Sequence, residues 1–198
     1  MRFEVLYALI LFCFVSGVTP GPNNMMLMSS GVNHGFRRTL PHLLGVVLGF
    51  SLMVALIGLG LDAIFTRFPL LLPIMRYVGA AYMLWLAWKI ANSGPVRDGE
   101  ARGRPLGFFG AAAFQWINPK AWVIAISALT AYAVSADYTI SVLAVALTYL
   151  VIGLPSSGAW VMFGAAMRKL LSDPKRVRPF NWTMAALLVA SVGPVLWE

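Results

Sequence analysis

Thr19-Pro20-Gly21-Pro22-Asn23-Asn24 interrupts what otherwise reads as one long apolar segment, with residues 3–18 before it and 25–32 after it. Together the two runs are long enough to cross a hydrocarbon layer of ~30 Å at ~1.5 Å per helical residue. Prolines at 20 and 22 and the glycine between them break that helix near its middle. Each proline removes a backbone donor and clashes with the preceding turn, so carbonyls that a ladder would consume are released at membrane depth. Hydrocarbon offers them no partner. Irregular backbone at that depth persists only where protein encloses it or where it lines a watered cavity, and in transporters it commonly builds the site.

The rest of the chain fits that setting. It has 198 residues, of which 60% are hydrophobic and 11% charged, and its mean hydropathy is +0.79. Soluble domains are roughly half apolar and a quarter charged, so the sequence predicts an all-α integral membrane protein. The first run is not read as a cleaved signal peptide, because it continues past its break into Met25-Met26-Leu27-Met28. A formal charge of +8 raises the question of nucleic acid. The basic residues gather between apolar runs, as cytoplasmic loops do, and nucleic acid is not expected as a partner.

Six spans are expected, at 3–32, 39–61, 68–91, 106–134, 138–167 and 179–197. Eleven Lys and Arg residues, among them Arg37, Arg38, Lys89, Arg168 and Lys175, then fall on one side, against Arg2, Arg67 and Arg76 on the other. That asymmetry places the loops around His34, Asp98 and Asp173 in the cytoplasm and both termini outside. Residues 92–105 form the one clearly polar connector and divide the chain into a first unit at 1–91 and a second at 106–198. Because each unit holds three spans, homologous units would run in opposite senses, the inverted-repeat design of secondary transporters.

The second unit also opens on a polar-proline break, in Phe114-Gln115-Trp116-Ile117-Asn118-Pro119-Lys120. Helices 1 and 4 of the six are thus both expected to be interrupted, and the interruptions to face one another. Lys120 is the one side chain formally charged deep inside a span. Burying it costs ~2.5–3.5 kcal/mol on insertion scales, so it must meet a cavity or a partner. One reading makes it the anchor for a substrate carboxylate; the other pairs it with carbonyls freed at Pro119. Thr19, Asn23, Asn24 and Asn118 supply neutral donors and acceptors that suit a zwitterion, and equally suit the capping of broken ends. Gly45 and Gly49 read as a helix-packing pair, Gly153-Leu154-Pro155 as a third bend, and Asp62 with Arg76 as an outer ion pair or two solvated surface charges.

Other chemistries find little support. Cys13 is the single cysteine, which excludes an internal disulfide, a CxxC pair and a thiolate cage. His34 and His42 come without acids and make no metal site. No HExxH, phosphate-binding glycine loop or intramembrane pair of carboxylates is present, so neither an enzyme nor a bound cofactor is expected.

Thr19 to Asn24, followed by Ser29-Ser30-Gly31-Val32-Asn33-His34-Gly35-Phe36-Arg37-Arg38, resembles the lysine exporter and threonine/homoserine exporter family, LysE/RhtB. Gly45 to Gly49, Gly79-Ala80-Ala81-Tyr82-Met83-Leu84-Trp85-Leu86 and Asn118-Pro119-Lys120 agree in the expected order. The runs at 19–37 and 79–90 look most like its cysteine/O-acetylserine branch. The resemblance implies a bacterial inner-membrane exporter of amino acids or their derivatives, driven by proton exchange, with a homodimer often proposed. Its proline-rich motif transfers to Pro20, Gly21 and Pro22, and its Asn-Pro motif to Asn118 and Pro119. Some members carry an acid in the second span, where this chain has Gly49-Phe50-Ser51-Leu52-Met53. Without an intramembrane Asp or Glu to hold a second positive charge, a neutral substrate is favoured over lysine or arginine. A metal-efflux or redox-type membrane protein and a non-transporting scaffold are the competing readings. Membrane-impermeant labelling of tags on intact cells checks the orientation: both termini should react, and reaction of a tag in the 92–105 connector would contradict it.

Overall fold

A computed structural model describes residues 3–61, 67, 70–92, 105–133, 137–168 and 174–190. The connector at 93–104, Asp62, Asp98, Asp173, residues 191–197 of the sixth expected span and the side chain of Arg76 lie outside them. The described residues are all-helical: α1 (Phe3–Val18), α2 (Pro22–Leu56), which passes into a π-helical turn (Ile57–Leu61), α3 (Leu71–Ala91), α4 (Phe108–Ile117), α5 (Pro119–Tyr132), α6 (Tyr138–Met167) and α7 (Pro174–Ala190). Among them, residues 22–60 and 138–167 are long and apolar enough to cross a bilayer, and α1 and α4 are shorter apolar helices.

α2 is a hairpin. Gly35 alone leaves the helical region, with φ 75° and ψ 173°, a conformation that side chains with a Cβ rarely adopt. The reversal brings Ser30 Oγ within 2.9 Å of Thr39 Oγ1, positions that a straight helix would hold about 13 Å apart at 1.5 Å per residue. Thr39 Oγ1 also donates to the Gly35 carbonyl, and Leu27 packs with Leu43, Val46 and Val47 of the returning arm. The loop expected between the first two spans is therefore reduced to a turn at one glycine.

Close backbone crossings set the remaining arrangement. A Cβ on Gly31 would meet the Val161 carbonyl, and one on Gly164 the Met28 carbonyl, so α2 and α6 touch backbone to backbone. Gly45 and Gly49 do the same for α2 on α4, against Phe108 and Ala112, and Gly79 sets α3 against the Ile117 carbonyl. Small residues serve membrane helices in this way because lipid tails supply no hydrophobic drive for association, leaving van der Waals contact to hold the bundle. Two apolar clusters result. One joins α1, the end of α2, α5 and α6 through Cys13, Met53, Ala125 and Val145. The other joins the start of α2 to α3, α4 and α7 through Met25, Met83, Phe114 and Leu188. The outer face is equally apolar: Leu44, Leu48, Leu52 and Leu56 form an exposed row along α2, as do Leu143, Leu147, Val151 and Leu154 on α6. In water such a row would be a liability; against lipid it is the expected covering.

α6 continues through Pro155 without a break in its helical backbone, and the Ser156 hydroxyl donates back to the Ile152 carbonyl. Pro155 is exposed. The last helix begins at Pro174, ahead of the expected span start at 179, because the basic run Lys175, Arg176 and Arg178 is itself helical and leads into the apolar part. The crossings make a paired prediction for thermal unfolding in detergent. Gly164→Ala should destabilise by about 1–3 kcal/mol through overpacking against backbone. Gly158→Ala, with nothing within 4 Å of its added Cβ, should stabilise by about 0.5–1 kcal/mol from reduced unfolded-chain freedom.

Candidate functional site

The two proline motifs fold by the same local rule. Gly21 (φ −178°, ψ 177°) and Asn118 (φ −90°, ψ 105°) are extended, and Pro22 and Pro119 follow them in the first turn of the next helix. Proline suits that position because its missing N–H would have had no intrahelical partner there. The carbonyls released upstream then need donors, and side chains supply them. Asn24 Nδ2 donates to Gly17 O at 2.8 Å and Thr19 O at 3.0 Å. Trp122 Nε1 donates to Trp116 O at 2.9 Å across the second break. Thr19 turns its hydroxyl back to Val15 O.

Two sets of contacts join the breaks to each other. Lys120 Nζ donates to Thr19 O at 3.0 Å and to Pro20 O at 2.9 Å. Gly21 makes this possible, since a Cβ there would lie 2.8 Å from both Cδ and Nζ of Lys120. Asn23 and Gln115 pair reciprocally, Nδ2 to Oε1 at 2.7 Å and Nε2 to Oδ1 at 3.1 Å. Gln115 is fully buried and anchors itself to Ala111 O with the same nitrogen. Lys120 thus meets carbonyls of the opposite break, at Thr19 and Pro20, rather than those freed at its own proline.

Between the breaks lies a cavity of about 80 Å³, several times the ~10–15 Å³ that one water requires. Gly21, Pro22, Asn23, Asn24, Asn118 and Lys120 line it together with Cys13, Ser16, Phe50, Tyr149 and Ser157. Of the residues expected at the site, Thr19, Pro20 and Pro119 are not in the wall. The first two hold Lys120 by their carbonyls, and Pro119 starts α5.

The electrostatics of the wall are uneven. The amino ends of α2 and α5 both open on the cavity without a side-chain cap, and each carries a partial positive charge that favours an anion. Lys120 adds a full one. Its ammonium has three donors, of which the Thr19 and Pro20 carbonyls use two, leaving one for a ligand. Among the described residues, no Asp or Glu lines the cavity. Asn118 also lines the cavity and is 2% exposed, and its Oδ1 has no hydrogen-bond partner among the described residues. Leaving such an acceptor unmet costs about 1–3 kcal/mol, which a ligand donor would recover.

Gln115 and Tyr149 were not expected here. A glutamine inside an otherwise apolar ten-residue helix was the available signal for the first; Tyr149 had none, being one aromatic among many. The histidines sit elsewhere, at the Gly35 turn, where burial and the cations of Arg38 and Arg168 hold the His34 imidazole below its ordinary pKa. Among the described residues no three His, Cys, Asp or Glu side chains gather as a metal site would need.

The chain is similar to the cysteine/O-acetylserine efflux protein of Klebsiella pneumoniae, 33% identical over 189 residues that cover 93% of each chain. The proteins of that name from Salmonella typhimurium and Escherichia coli K12 are 33% and 32% identical over 187 residues, 93% of this chain and 94% of theirs. No solved structure matches it. The family profile of the LysE type translocators matches residues 14–197, and on that near-complete match and these relatives the chain belongs to the LysE type translocator family.

Proposed function

We propose that this protein is an inner-membrane secondary transporter that exports small neutral amino acids or their derivatives, of the cysteine, O-acetylserine, threonine or homoserine type, in exchange for protons. In this reading six spans form two inverted three-helix repeats, 1–91 and 106–198, joined by a cytoplasmic connector, with helices 1 and 4 interrupted at their proline motifs. The halves rock about the cavity to give alternating access.

One observation carries the reading: a lysine and an asparagine whose amide oxygen is unmet, Lys120 and Asn118, line one small cavity. A zwitterion matches that pair, its carboxylate taken by Lys120 and the two helix amino ends, its ammonium by Asn118. Among the described residues no acid lines the wall to hold the extra charge of lysine or arginine. The names of the relatives, cysteine/O-acetylserine efflux protein, point to the same size and charge of substrate.

Uptake into everted membrane vesicles under an imposed proton gradient, acid inside, tests this with labelled cysteine, O-acetylserine, threonine, homoserine and lysine. The neutral compounds should accumulate, lysine should not, and collapse of the gradient should stop accumulation. Lys120→Met should lower it by roughly ten- to a hundredfold at unchanged protein abundance, the worth of a charge-assisted bond of about 1.5–3 kcal/mol. Transport of lysine alone, or indifference to Lys120→Met, contradicts the reading.

A further inference from the structure

The cavity wall includes an aromatic residue to which the contacts already described give no role. Tyr149 lines the cavity from α6 and is 5% exposed. Its ring is held edge-on by Phe50, with centroids 4.9 Å apart at 90°, so the hydroxyl has little freedom to turn elsewhere. Tyr149 Oη is buried beside Cys13 and Ser16, yet makes no hydrogen bond of normal geometry. Ser16 has spent its own donor on the Cys13 carbonyl, at 3.1 Å.

A buried phenol without a partner is costly in a packed interior, where such groups are nearly always satisfied. Its position explains the exception if a ligand is the partner. Along α1 the Lys120 ammonium is fixed at Thr19 and Pro20, whereas Tyr149 adjoins Cys13 and Ser16. Ser16 stands three residues before Thr19, about one turn of α1, so the phenol and the ammonium adjoin successive turns of the same helix. We infer that Tyr149 Oη is the specificity-determining group of this site, hydrogen-bonding an uncharged polar group on the substrate's side chain: a hydroxyl, thiol or ester oxygen.

The inference rests on the export reading above and adds the orientation of the substrate, carboxylate towards Lys120 and side chain towards Tyr149. A phenol serves several such groups because it both donates and accepts, and it offers nothing to a charged side chain that water does not offer better.

Serine and alanine differ by the single atom in question, so vesicle accumulation of the two, measured in competition, reads the contact directly. The unaltered protein should favour serine by about three- to tenfold, the worth of one neutral hydrogen bond. Tyr149→Phe should bring that ratio close to one by lowering serine while leaving alanine unchanged. Because no protein partner is lost, substrate-free Tyr149→Phe should unfold in detergent at the same temperature as the unaltered protein or higher. A serine preference that survives Tyr149→Phe, or a lowered unfolding temperature, overturns the inference. Lys120→Met separates the two claims: it should reduce serine and alanine equally and keep their ratio. Accumulation of neither amino acid by the unaltered protein removes the export reading, and this inference with it.

Discussion

Backbone that leaves a helix inside a membrane must find its hydrogen-bond partners within the protein, and the architecture of this chain follows from how it meets that requirement. The carbonyls freed before Pro22 are taken by Asn24 and Lys120, and one freed before Pro119 by Trp122. Two of these donors come from beyond the break they serve, and Lys120 comes from the other break altogether. Asn23 and Gln115 then close the junction with a reciprocal amide pair. Remove any one of them and a polar group at the junction loses its partner within the protein. The same groups that satisfy the backbone leave a surplus, one ammonium donor and the Asn118 oxygen, and that surplus is what a ligand can use.

The glycines make such a junction reachable. Gly21 admits the Lys120 stem, Gly79 brings α3 up to Ile117 at the second break, and Gly31 with Gly164 locks α2 to α6 behind the first. The cluster around Cys13 and Tyr149 borders the cavity, and a separate cluster around Met25 and Phe114 packs the start of α2 against α3, α4 and α7.

Much of this was legible in the sequence because it rests on residues with strong backbone consequences. Prolines, glycines and a lysine in apolar surroundings announce breaks, close approaches and a cavity whatever surrounds them. What was not legible depends on tertiary context. Gln115 becomes a tie only when Asn23 lies opposite, 92 positions away, and Tyr149 becomes exceptional only once its hydroxyl is seen to lack a partner. Pro155, unlike Pro22 and Pro119, lies inside a continuous helix, so a proline alone does not announce a break. The single-residue turn at Gly35 was hidden because the polar stretch around it looked long enough to be a loop.

The central claim is that the interrupted helices enclose a wet pocket occupied by substrate. Ser157 lines that pocket from α6 and is 7% exposed, and Cys13 is the single cysteine to be removed first. The direct measurement is the rate at which a small water-soluble methanethiosulfonate labels Ser157→Cys in the Cys13→Ala protein, with and without a saturating neutral amino acid. The account requires labelling that the amino acid slows severalfold and that lysine leaves unchanged. An inert thiol, or one whose labelling ignores the amino acid, would place the pocket in dry packing and contradict it.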